Sequence, residues 1–95
     1  MLTLPIKSKW FVMIVTGVKK EEYWDKSPYY ISRLGKYADG SPFKVRLRAG
    51  YKRTSPLVEC TVTLHEGPGR EEWGTAPGWE GYILKIHKVE VLQWN

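Results

Sequence analysis

Lys19 and Glu22 stand three positions apart inside "GVKKEEYWDKSPYY" (17–30), which holds three lysines, three acids, one tryptophan and three tyrosines in fourteen positions. A lysine so placed can contact a phosphate or a carbonyl oxygen. A glutamate beside it can accept from the exocyclic amine of cytosine or adenine, or act as a general acid or base. If the two meet across a turn they form an ion pair, and a buried ion pair is costly unless it is hydrogen-bonded. Trp24 follows two residues later and can stack on a base. Downstream, Lys44, Arg46 and Arg48 alternate with apolar residues, and a guanidinium holds phosphate bidentately or stacks on a ring. Gly50 next to Arg48 and Tyr51 would let a ligand approach the backbone. Tyr51, Trp73 and Trp79, like Trp24, lie in or beside polar, glycine-rich segments, where packing explains an aromatic less easily. The plainer reading is also open: Lys19 only caps a helix, and the arginines line a solvated strand face.

These residues depend on the elements that position them. "LTLPIK" reads as a short strand, with Pro5 suited to an edge or a strand start. In "SKWFVMIVTG" Ser8 is a candidate N-cap, apolar residues follow, and Gly17 can end the helix in a left-handed conformation. "KKEEYWD" reads as a strand. Pro28 suits a first helical turn, so "PYYISRLGKY" is a second short helix, with Tyr30 and Leu34 on its inner face. "ADGSP" is a turn. In "FKVRLRAGY" Phe43, Val45, Leu47, Ala49 and Tyr51 share one face, with Lys44, Arg46 and Arg48 on the other. "LVECTVTLHE" puts Val58, Cys60, Val62 and Leu64 on one side. "GPGREEWGTAPGW" is a long structured loop, a candidate lid or rim (67–80). "GYILKIHKVEVLQW" is a final strand whose apolar parity changes between Ile86 and Val89, the mark of a bulge or bend. The sum is α+β, with about five or six strands and two short helices in one domain (1–95). Without βαβ alternation, a small barrel fits better than a parallel sheet.

Composition narrows the partners. The chain carries +5, but residues 1–55 hold twelve Lys/Arg against four Asp/Glu, while residues 56–95 hold three against six. A positive field confined to one half favours a polyanionic or phosphate-bearing partner. One cysteine allows no internal disulfide and suits a reducing, cytoplasmic setting. No apolar run reaches spanning length and the amino terminus lacks a signal-peptide pattern, so no membrane partner is expected. His65 and His87 lack metal-ligand spacing, and no P-loop, dinucleotide fingerprint or Gly-x-Ser-x-Gly is present. No metal or cofactor is expected. Cys60, among apolar residues, reads as a buried structural thiol.

"KWFVMIVTGVKKEEY" resembles the opening signature of the ASCH domain family: a helix ending in Gly-x-Lys-x-x-Glu, here Gly17, Lys19 and Glu22, then a strand. "RAGY" (48–51), "SP" (55–56), "EWG" (72–74) and "GYILKI" (81–86) extend the resemblance, in order, to compact bacterial and phage members. It implies a PUA-like β-barrel closed by helices, with a basic cleft beside the Gly-x-Lys segment. It further implies binding of RNA or of a modified nucleoside or nucleotide, with Lys19, Glu22, Trp24, Arg46, Arg48, Tyr51 and Trp73 as candidate ligand contacts. The alternative is a small hydrolase of N-acylated cytosine nucleosides or RNA, with Lys19 and Glu22 as its catalytic pair. Two positions depart from the family pattern. Trp24 stands where an arginine is usual, and Glu22 stands where the amidohydrolase-like members carry a nucleophilic threonine, a role that a carboxylate at Glu22 cannot take over.

Overall fold

In the computed structural model, which describes residues 1–94, five strands and two short helices follow one another as strand, helix, strand, helix and three strands. The strands are β1 (Leu2–Ile6), β2 (Glu21–Trp24), β3 (Phe43–Ala49), β4 (Leu57–Pro68) and β5 (Glu80–Gln93); the helices are α1 (Ser8–Val15) and α2 (Pro28–Leu34). They form one mixed sheet in the order β1-β3-β4-β5-β2. Only β1 and β3 run parallel; the other pairs are antiparallel. The fold is therefore α+β with two short helices, as the pattern of elements predicts, and the strand count settles at five. The expected domain runs to residue 95, which lies outside the described residues.

Alternation explains the sheet. Val45 and Leu47 of β3, and Val58, Cys60, Val62 and Leu64 of β4, point into one core with Phe11 and Ile14 of α1 and Leu34 of α2. Each fully buried Leu, Val or Phe contributes roughly 1.5–3 kcal/mol of transfer free energy, so this single apolar face holds the layers together. The parity change in β5 is a register shift: Thr61 faces Lys88 while Val62 faces Ile86, leaving His87 without a partner across the ladder. A bulge there turns His87 to the outer face, beside the Thr63 hydroxyl at 2.8 Å.

Three local expectations change. Ser8 is the first helical residue, and the capping position falls on Lys7, which makes no side-chain cap. At the second helix the cap is Ser27, whose Oγ accepts from Tyr30 N at 3.4 Å; α2 then tightens into a 3-10 turn at Gly35–Tyr37. Tyr51 does not continue the inward face of β3. The strand ends at Ala49, Gly50 turns the chain at φ 112°, and Tyr51 stands 90% exposed.

Candidate functional site

The end of α1 sets up the site. Gly17, at φ 80°, lets the chain reverse over the last helical turn. Gly17 N then donates to Ile14 O at 3.1 Å and Val18 N to Met13 O at 2.9 Å, the paired bonds of a Schellman stop. Lys19 N shares the Met13 carbonyl at 2.9 Å, so the backbone of this lysine is fixed to the helix before its side chain begins. Lys20 O accepts from Ile86 N at 2.9 Å and ties the segment to β5, against which β2 then pairs.

Lys19 is 1% exposed and Glu22 7%, the two buried charged residues of the protein among those described. The Lys19 ammonium donates to the backbone carbonyl of Glu21 and faces Glu22 Oε1 at 3.5 Å. It also lies 4.9 Å from the centre of the Tyr23 ring and 5.8 Å from that of Trp10. Glu22 Oε1 accepts from Tyr23 N at 3.2 Å, whereas Oε2 is buried without a partner. Burial is the main influence on both groups. It pulls the Lys19 ammonium below the usual lysine range against the opposing pull of Glu22, and pushes the Glu22 carboxyl up against the pull of Lys19. The pair is thus an enclosed cation in a cage of carbonyl, carboxylate and rings.

Tyr23 and Trp24, the next residues of β2, line a cleft of about 400 Å³ with Asp25, Tyr30, Thr75 and Trp79, together with Gly74 and Ala76; neither Lys19 nor Glu22 is among its lining residues. Its size falls in the range of small-molecule sites. The loop between β4 and β5 forms one wall and is pinned across β2. Arg70 N donates to Tyr23 Oη at 3.1 Å, and Trp79 Nε1 donates to Asp25 Oδ1 at 2.8 Å. Gly74, at φ 109°, brings that loop so close to Trp10 that a Cβ would sit 2.9 Å from the indole. Tyr23 Oη also donates to Glu21 Oε1 at 2.7 Å, and burial raises its phenol well above the usual range. Two side-chain polar atoms of cleft residues, Trp24 Nε1 and Thr75 Oγ1, are buried without hydrogen-bond partners. A smaller cleft of about 170 Å³ is lined in part by Gly17, with Lys19, Lys20, His87 and Lys88 contributing its polar lining.

The residues singled out in the sequence separate into groups. Lys19, Glu22 and Trp24 come together around β2, and Trp24 does two jobs: it packs on the core and lines the cleft, its ring 5.0 Å from Tyr30. Arg46 lies on the sheet face opposite the core and pairs with Glu59 at 3.4 Å. Arg48 is bound to its own loop, donating to the carbonyls of Lys52 and Arg53 at 2.9 Å each. Tyr51 lines a separate groove with Pro5, Ile6, Lys7 and Ser8, although its phenol is near enough to be one of the weaker influences raising Tyr30. Trp73 sits in a 3-10 turn (Glu71–Trp73) under the Arg70 guanidinium, 4.9 Å away, and does not line the cleft. Sequence reasoning missed Tyr23, Asp25 and Thr75 as cleft residues; Tyr30 packs against the core as its inner-face position predicts and lines the cleft as well. The signal for the tyrosines was their crowding in 17–30; nothing local marks Thr75, because a loop fifty residues away brings it there.

No family model, curated protein or solved structure matches this chain. No helix among the described residues is long and apolar enough to cross a membrane.

Proposed function

We propose that the cleft beside the Lys19–Glu22 pair binds the base of a nucleoside or of single-stranded RNA. The observation that carries this reading is the wall chemistry. Tyr23, Trp24, Tyr30 and Trp79 surround a volume suited to a flat ring, and Trp24 Nε1 and Thr75 Oγ1 lack partners. Buried polar atoms are ordinarily paired; these two are closed to solvent, so pairing them takes a small shift of the lining side chains as a base enters and offers its acceptors. The resemblance to ASCH domains through Gly17, Lys19 and Glu22 supports the same reading, as does the five-stranded α+β sheet; closure of that sheet into a PUA-like barrel belongs to the proposal. Lys19 then acts from behind the wall. It holds Glu22 and the ring of Tyr23 in place and supplies a positive field, without touching a phosphate itself.

Tryptophan fluorescence, titrated with the common ribonucleosides and N-acylated cytidines, tests the reading. Saturable quenching is expected, and Trp79→Ala should weaken binding roughly 5- to 150-fold, the worth of one stacked base. If no nucleoside quenches saturably at millimolar concentration, the cleft is not a base site.

One observation favours a second reading, hydrolysis. A lysine pulled down and a carboxyl pushed up, 3.5 Å apart, is a pair whose two affinities for a proton have been drawn toward each other, as in an acid–base couple. Turnover of N-acylated cytidines or short RNAs by the wild type, lost in Glu22→Gln with folding retained, would support it; turnover that survives the substitution removes Glu22 from the chemistry.

A further inference from the structure

A further groove, of about 340 Å³, is lined in part by Ser32, Arg33 and Leu34 of α2. Leu2, Leu34 and Phe43 contribute apolar surface, Arg33, Lys36 and Lys44 contribute three cations, and no carboxylate is among its lining residues. Lys44 faces Glu59 at 3.5 Å, but neither Arg33 nor Lys36 enters an ion pair among the described residues. The groove therefore concentrates positive charge over a partly apolar floor, the complement of a phosphate-bearing chain.

The two clefts are joined by a row of flat groups across α2. Trp24 packs on Tyr30 at 5.0 Å, Tyr30 meets Tyr29 edge-on at 4.9 Å, and the Arg33 guanidinium lies 3.6 Å over the Tyr29 ring. Tyr29 is 49% exposed. Helical spacing produces the row. Tyr29 and Arg33 are four apart and share one surface line, and Tyr30 precedes the line toward the cleft. One exposed ring, Tyr29, with the half-buried rings of Tyr30 and Trp24 behind it and cations alongside, is a pattern that holds a single strand, with bases on the rings and phosphates on the charges.

We propose that α2 carries a track for a single-stranded polynucleotide, running from the base cleft over Tyr30 and Tyr29 to the cationic groove of Arg33, Lys36 and Lys44. This inference rests on the base-binding reading and names its ligand as a strand instead of a free nucleoside. An acidic peptide would satisfy the cations but leave the row of rings unused.

The test is fluorescence anisotropy with labelled oligouridylates of two and eight nucleotides, a poly-glutamate peptide of equal charge, and uridine as competitor. The octamer should bind at least tenfold more tightly than the dimer. Its log Kobs should fall with log[salt] at a slope of about −2, as expected when three cations displace counterions from single-stranded phosphate. Arg33→Glu with Lys36→Glu, both on the exposed surface, should flatten the slope by more than half while leaving uridine binding unchanged. Tyr29→Ala should weaken the octamer and leave the dimer unaffected. Equal affinity for the two lengths, an unchanged slope in the charge-reversed variant, or a poly-glutamate peptide that binds as tightly as the octamer would each overturn the track while leaving the base cleft standing. Absence of binding by every common ribonucleoside in the wild type removes both.

Discussion

Removing the partners of the Lys19–Glu22 pair one at a time, and then together, measures what encloses the site. At 3.5 Å and an effective dielectric of ~20 the attraction is ~5 kcal/mol. Desolvation opposes it by several kcal/mol per ion. The net worth of the pair is therefore small, yet either charge left alone is expensive, and the asymmetry gives the prediction. Lys19→Met strands a carboxylate that already has one unpartnered oxygen, and Glu22→Leu strands an ammonium whose other hydrogen-bond acceptor is a single backbone carbonyl. Each single variant should lose ~3–5 kcal/mol, a large share of the ~5–15 kcal/mol available to a domain of this kind. The double variant, apolar throughout and similar in volume, should lose less than either single one. Urea unfolding followed by circular dichroism, with all four proteins at pH 7 and one salt concentration, completes the cycle. With a slope of ~1–3 kcal/mol per molar, losses of this size move the midpoint by one to several molar. Single losses that add to within ~0.5 kcal/mol would refute the reasoning, because uncoupled side chains cannot be compensating one another.

Three further outcomes follow from the same geometry. The folded protein binds the Glu22 proton more tightly than the unfolded chain, so this group's contribution is full below 4.5 and is lost as pH rises through its raised value. Lys19 behaves in the opposite sense: its contribution is present above 10.5 and is lost as pH falls through its lowered value. The stability difference between wild type and Glu22→Gln should therefore favour the wild type increasingly on acidification toward 4.5, and a flat difference curve from urea midpoints would contradict it. Gly81→Ala would place a Cβ 2.5 Å from Trp79 Cζ2 and 2.9 Å from the Trp24 carbonyl oxygen. It should cost ~1–3 kcal/mol by overpacking and shift tryptophan emission, and a variant of wild-type stability with unaltered emission would show that the wall is loose. Cys60 is fully enclosed, and burial pushes its thiol up to about 12. It should react with a chromogenic disulfide only at the unfolding rate, and prompt labelling of the native protein would place it elsewhere.

Much of the architecture was legible because it follows from local rules. Alternation in 43–49 and 57–64 marks both core strands, the parity change after Ile86 marks the bulge, and Gly17 marks the stop that aims Lys19. The α+β class and the two short helices needed nothing more than these periods and punctuation. At the site, the spacing raised a meeting of Lys19 with Glu22 only as a condition, and the path of the chain after the Schellman stop at Gly17 and Val18 fulfils it.

Tertiary packing decided the rest. Arg46 and Arg48 look like ligand contacts in a one-dimensional pattern, but the first meets Glu59 on the neighbouring strand and the second meets the carbonyls of its own loop. The first partner is invisible without the register of β3 on β4, and the second without the path of the loop after β3. Trp24 packs on the core as well as lining the cleft because alternation gives a side chain its face and not the depth to which neighbouring elements bury it; α2 supplies Tyr30, and the loop after β4 supplies Thr75 and Trp79. By itself the sequence determined which residues face inward, because side-chain direction follows backbone period. Only the folded chain decided which of them meet at one cleft, because that depends on contacts between segments some fifty residues apart, such as Trp79 with Asp25 and Arg70 with Tyr23.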